Sequence, residues 1–239
     1  MCVGVVVWRA HPRWPLLVAA NRDEFHVRPT APLARWPGNQ GLLAGRDLTA
    51  GGTWLGVSDT GRFAFVTNHR VDGPAPQRGS RGSLVTDWLS GTRPDQIDTL
   101  NPFNFIMIDQ IDSATFLGNV PAPVERRLDA GIHGLSNGPV DEPWPKTARL
   151  DAAVRSFLAQ ASGDPSALFG ALRDESLPDG APADGPAFPA IFVRNPHYGT
   201  RSSTVVAVDA AGAGWIEERR FDSDGLETGR TRIPFDWPL

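Results

Sequence analysis

Residues 2–9 (CVGVVVWR) are apolar at both phases of a two-residue period, the pattern of a strand covered on both faces. His11-Pro12-Arg13-Trp14 breaks the run, and residues 16–20 resume it as a second strand. A hairpin centred between Pro12 and Arg13 pairs residues whose numbers sum to 25. That register sets Cys2 opposite Asp23 and brings Asn21-Arg22-Asp23-Glu24 beside the cysteine with no tertiary assumption. A second hairpin is predicted from residues 53–58, the turn Asp59-Thr60-Gly61 and residues 62–68. Its pairing sum of 120 places Asn68 opposite Gly52, where Gly51-Gly52 permit close backbone approach. A further strand is expected at 41–46.

The period then changes. Residues 82–89 read as a capped helix and 94–100 as a short second one. Pro145 opens the clearest helix, with Leu150, Val154, Phe157 and Leu158 on one stripe. Asp164-Pro165 starts another that runs to about 173. Strands are expected at 103–108, 114–118, 132–136, 190–193, 202–209 and 214–221. Residues 178–189 (PDGAPADGPAFP) hold too much Pro, Gly and Asp for regular structure and read as a lid or flap. With no internal repeat and no break between two cores, the expectation is one α+β domain over residues 1–239. Antiparallel sheets would lie at its centre and helices outside.

Composition narrows the function. A net charge of −4 without a Lys/Arg run argues against a nucleic-acid partner. A single cysteine excludes disulfides within the chain and any Cys-cluster zinc site. His11, His26, His69, His133 and His197 show no metal-ligand spacing, so no metal is expected. The apolar opening is too short for a signal peptide or membrane span, which predicts a cytoplasmic protein without one. The eight tryptophans either line an apolar pocket or fill the core.

The one cysteine is Cys2. Removal of Met1 would leave a residue carrying both a thiol and a free α-amine. Their reference pKa values, about 8.5 and roughly 7.7–8.0, allow one to take the other's proton. That is a nucleophile with its own general base. The structural alternative is a small buried hydrophobe opening a strand.

The stretches MCVGVVVW, AANRDEFHVRPT, LLAGRDLTAGGTWLGVSDTGRFAFVTNHR, GLSNGPVDEPWPK and YGTRSSTVV resemble the NRDE family, also called the transport-and-Golgi-organisation 2 family. The resemblance runs from residue 1 to about 206 and implies a four-layer αββα sandwich of N-terminal nucleophile hydrolase type. It does not by itself imply hydrolysis, and haem handling has been proposed for members.

A more distant similarity is to cysteine amidohydrolases such as bile-salt hydrolases and penicillin V acylases. It maps their catalytic set onto Cys2, Asp23, Asn68 and Asn137, with Arg201 as a late arginine. Those enzymes carry a further arginine three residues before the aspartate. Ala20 holds that place here, and Arg22 would reach the same face of the strand.

On this reading Cys2 attacks a carbonyl and Asp23 orients the amine. Asn68 and Asn137 stabilise an oxyanion, and Arg22 lowers the thiol pKa. Arg201, Asn21 and His69 complete the substrate-binding set, Arg201 for a carboxylate and His69 as a haem ligand. Each also has a structural use: surface ion pairs for the charged residues, turn formation for the asparagines, a rim or capping role for His69.

Two functions follow. One is an amidohydrolase or acyltransferase acting on a small amide or thioester through Cys2, with no cofactor required. The other is a non-catalytic carrier or chaperone that uses the same cleft for haem or another hydrophobic ligand. A scaffold that has lost catalysis is the third reading.

Overall fold

The valine-rich opening forms β1 (Cys2–Trp8), buried at every position, and returns as β2 (Leu16–Phe25). The structure, a computed structural model, describes residues 2–38, 41–71, 78–110, 112–160, 163–177 and 189–238. The partners in this hairpin sum to 24, not 25, so Cys2 faces Arg22 and Val3 faces Asn21. The reversal is closed by the Arg9 N–H donating to the Pro15 carbonyl at 2.8 Å, with Arg9 at a positive φ of 48°. A one-residue slip exchanges the two faces of a strand. Arg22 therefore shares the face of Cys2, and Asp23 turns to the other.

The chain next builds a seven-stranded antiparallel sheet in sequence order: β3 (Thr30–Arg35), β4 (Leu42–Asp47), β5 (Leu55–Ser58), β6 (Arg62–Asn68), β7 (Phe103–Asp109), β8 (Ser113–Gly118) and β9 (Val124–Leu128). The hairpin of β5 and β6 keeps the expected sum of 120, as in Leu55 opposite Phe65, and Val66 N–H extends it to the Trp54 carbonyl. After β10 (Gly131–Leu135) come β11 (Tyr198–Val208), β12 (Ala213–Phe221) and β13 (Glu227–Asp236). These complete a six-stranded sheet in the order β10-β1-β2-β11-β12-β13.

Alternation sorts the residues into two cores. Val3, Val5, Val7, Leu17 and Ala19 face α2 (Pro145–Leu158) and α3 (Leu168–Leu172), meeting Leu150, Val154, Phe157 and Phe169. Val6, Trp8, Leu16 and Val18 face the seven-stranded sheet and pack with Phe63 and Phe65. The outer side of that sheet carries α1 (Gly82–Leu89), which buries Leu84, Val85, Trp88 and Leu89 over β4, β5 and β6. The layers are thus helix, sheet, sheet, helix: the αββα sandwich. Each fully buried Val, Leu or Phe contributes roughly 1.5–3 kcal/mol, so these faces hold the fold.

Some expected elements differ. Residues 190–193 form no strand, although Ile191, Phe192 and Val193 are buried; Phe192 N–H bonds the Asp174 carbonyl and Val193 accepts from Thr200 N–H. Within 94–100 only a 3₁₀ turn, Ile97–Thr99, is helical. The helix expected after Asp164 is a 3₁₀ turn followed by the five residues of α3. β3, β9 and β13 were not expected. The first two are the edges of one sheet and the third an edge of the other, where largely exposed positions leave no regular apolar alternation to read. Of the expected flap, residues 178–188 lie outside the described residues.

Two adjacent glycines bring α1 to the open end of the sandwich. A Cβ on Gly52 would lie 2.5 Å from the Gly82 carbonyl carbon, so two backbones touch at the start of α1. Gly51 has open space but sits at φ +79°. The two should fail differently. Gly51→Ala should cost about 1–2 kcal/mol and Gly51→Asn less, because Asn adopts the left-handed region more readily. Gly52→Ala and Gly52→Asn should both cost about 1–3 kcal/mol, with no rescue by Asn. Urea denaturation of the four variants distinguishes the patterns.

Candidate active site

β1 begins at a thiol that lines a cleft at the end of the sandwich, with a cavity volume of about 80 Å³. Cys2, Arg22, Asp23, Trp54, Asn68 and Arg81 are among its walls. The Asp23 backbone N–H lies near enough to the Cys2 sulfur to favour its anion. Burial pushes the thiol pKa up; the Arg22 charge and the Asp23 N–H oppose this without reversing it.

Arg22 projects from β2 toward the other sheet. Its Nη2 donates to Asp47 Oδ2 on β4 at 3.0 Å, and Nη1 to Thr30 Oγ1 at 3.3 Å. The guanidinium lies 4.5 Å from the centroid of the Trp54 ring. Asp47 also accepts from Arg28 Nε at 2.6 Å and from the N–H groups of Thr49 and Ala50, both at 3.0 Å. Burial would push the Asp47 carboxyl up, but the bonds from Arg28 and Ala50 and the charges of Arg28 and Arg22 together hold it below its usual range.

Behind the thiol the polarity continues. Asp23 Oδ1 accepts from Thr200 Oγ1 at 2.7 Å, and Oδ2 lies 3.9 Å from Lys146 Nζ. Both side chains of this ion pair are wholly buried. Burial raises the Asp23 pKa, with Lys146 opposing, and burial lowers that of Lys146, with Asp23 opposing. Lys146 Nζ also donates to Asn137 Oδ1 at 3.4 Å, and Asn137 Nδ2 donates to the Asn68 carbonyl at 2.8 Å.

Residues 136–138 are pinned from the second sheet. Asn104 Nδ2 donates to the carbonyls of Ser136 at 3.0 Å and Gly138 at 2.8 Å, Thr67 Oγ1 donates to the Ser136 carbonyl, and Arg70 N–H donates to the Asn137 carbonyl at 2.7 Å. Ser136 Oγ closes the loop by donating to the Cys2 carbonyl at 2.9 Å.

Of the expected catalytic set, Cys2, Arg22, Asp23 and Asn68 meet on the cleft, and Asn137 stands behind it bonded to Asn68. The three residues expected to bind substrate are placed elsewhere. Asn21 points to the helix side, with Nδ2 on the carbonyls of Leu172 and Ile191 and Oδ1 accepting from Ser203 Oγ. Arg201 spends Nη1 on the carbonyls of Phe25, His26 and Arg28, holding the turn after β2. His69 Nδ1 bonds Asn104 Oδ1 at 3.2 Å, away from the cleft lining.

Sequence reasoning did not single out Asp47, Trp54, Arg81 or Lys146. Only Lys146 left a trace: a lysine in the first turn of a helix opposes the helix dipole and calls for a specific partner. Among the described residues, no cluster of three or more His, Cys, Asp or Glu side chains could hold a metal ion, and no helix is long and apolar enough to cross a membrane.

The fold is shared with solved hydrolase structures. The penicillin V acylase of Agrobacterium tumefaciens superposes with a TM-score of 0.54 at 12% identity, covering 98% of this chain and 86% of that one. The C2A mutant of conjugated bile acid hydrolase from Clostridium perfringens gives 0.55 at 8% identity, covering 100% and 97%. In sequence, the human Transport and Golgi organization protein 2 homolog is 32% identical over 271 residues, spanning 97% of each chain. The family model for transport and Golgi organisation 2 matches residues 1–223. The chain belongs to the transport and Golgi organisation 2 family.

Proposed function

We propose that the chain, once Met1 is removed, cleaves or transfers the acyl group of a small amide or thioester with Cys2 as an N-terminal nucleophile. One observation carries this reading: the thiol lines a cleft where Arg22 lies opposite in register and Asn68 lines the same wall. The names of the two fold neighbours, an acylase and a hydrolase, agree with it.

The freed α-amine takes the thiol proton, and the sulfur attacks the carbonyl carbon. The tetrahedral intermediate collapses with transfer of that proton to the departing nitrogen or sulfur, leaving acyl-Cys2. Water or another acceptor then attacks the thioester, releases the acyl group and restores the thiol.

Asn68 supports the oxyanion from the cleft wall, while Asn137 positions Asn68 through its backbone carbonyl. Asp23, held by Thr200 and Lys146, orients the ammonium. Arg22 favours the thiolate. The charged lining suits a polar acyl substrate better than a tetrapyrrole; a Soret shift on titrating haem into the purified protein would support the carrier reading instead.

Cys2→Ala should abolish acyl transfer and leave the fold intact, read by acyl-enzyme mass and by circular dichroism. A variant that retains Met1 should be equally silent. Asn68→Ala should lower kcat by about 10²–10³-fold, the usual loss of an oxyanion donor. Full turnover in Cys2→Ala would overturn the proposal.

The pH dependence has a definite sign. With Met1 in place, the iodoacetamide rate should rise with a midpoint above the ordinary thiol value of 9.0, because burial disfavours the thiolate. Arg22→Gln should move that midpoint further up, since it removes a charge that favours the anion. Removal of Met1 should raise the rate at neutral pH.

A further inference from the structure

The charges on the cleft do not balance locally. Arg22 and Arg28 are matched by Asp47 and Glu24, with nitrogen–oxygen distances from 2.6 to 3.8 Å. Asp23 is matched from behind by Lys146. Among the described residues, Arg81 is the remaining cation on the wall. Its Nη1 donates to the Pro102 carbonyl at 3.3 Å, and among the described residues no carboxylate comes within ion-pair distance of it. It is close enough to Cys2 and Glu24 to be favoured by a thiolate or a carboxylate there, and burial pushes its pKa down. A desolvated guanidinium bonded to one carbonyl keeps most of its five donors for a planar oxyanion.

We propose that the cleft selects substrates bearing a carboxylate close to the scissile carbonyl, and that Arg81 is the residue that binds it. This deepens the reading of Cys2 as the reactive group and rests on it. A neutral acyl substrate would leave Arg81 half-buried and unmatched. A carboxylated one gains a charge-assisted pair within reach of the sulfur. The three neighbouring carboxylates, each already engaged, repel an anion that lacks this contact. Selectivity therefore depends on Arg81 and not on the general charge of the cleft.

Iodoacetate and iodoacetamide are near-isosteric, one carrying the carboxylate and the other neutral, and the chain has a single thiol to report. The ratio of their alkylation rates at one pH cancels the thiolate fraction, so it reads anion preference alone. The urea-unfolded chain supplies the reference ratio for the same thiol without a cleft. The folded protein should favour iodoacetate relative to that reference. Arg81→Gln should lower the folded ratio by about tenfold, the size of one close charge pair at a partly exposed site, while both absolute rates fall with the thiolate fraction that the ratio cancels. Arg81→Lys should recover part of the ratio.

An unchanged ratio in Arg81→Gln would overturn the proposal, as would a folded ratio no higher than the unfolded one. A folded thiol that neither reagent reaches would overturn it too, since a cleft closed to a two-carbon acid admits no substrate. Acyl turnover is scored separately. A ratio that depends on Arg81 in a protein without turnover would keep the anion site and remove the catalytic reading.

Discussion

Arg22 holds the two sheets together at the end where the thiol lies. It leaves β2 in one sheet and reaches Asp47 on β4 in the other at 3.0 Å, with the Trp54 ring over its face. An arginine with only 5% of its side chain exposed is stable there because carboxylate, hydroxyl and ring together replace its water. Removing Asp47 would leave the buried cation with only the longer contact to Glu24 at 3.8 Å, which costs more than the pair itself contributes. The same group stands opposite Cys2 in the β1–β2 ladder. The ion pair that closes the sandwich thus also places one favourable charge near the sulfur.

A second buried pair fixes the helix layer from the opposite face. Lys146 is the second residue of α2, where the helix dipole disfavours a cation, and it is fully buried. Asp23 and Asn137 offset both penalties at once. Because Asp23 follows Arg22 on β2, alternation sends one side chain to the sheet interface and the next to the helices. Two consecutive residues thus carry the two buried ion pairs, with the thiol between them. The segment 136–138, tied by Thr67, Arg70 and Asn104, links these networks to the second sheet.

Legibility in the sequence follows locality. The β5–β6 hairpin could be read to the residue because a short turn with glycine sets the register. The β1–β2 hairpin was one residue off, since its longer reversal leaves two centres open, and that slip decided whether Arg22 or Asp23 faced the cysteine. Strands with a buried face announced themselves; β3, β9 and β13, at sheet edges and half in water, did not. Cys2, Arg22, Asp23 and Asn68 were visible because two hairpins carry them. Asp47, Arg81 and Lys146 arrive through pairings across sheets and layers, and no local pattern encodes those. Asn21 and Arg201 show the converse: a polar residue beside a site is as readily a structural tie, Asn21 to the helix layer and Arg201 to the turn after β2.

The buried state of the thiol bears on how the proposed chemistry is switched on. Burial raises the Cys2 pKa, and neither Arg22 nor the Asp23 N–H overcomes it, so the cleft alone does not supply a thiolate at neutral pH. In the proposed reaction the proton is therefore taken during attack, by a base close to the sulfur. Asp23 is engaged with Thr200 and Lys146, Glu24 with Arg22 and Arg28, and Asp47 with both arginines. The proposed base is the α-amine freed by removal of Met1. In the proposed chemistry the side chains hold and polarise, and the backbone terminus moves the proton.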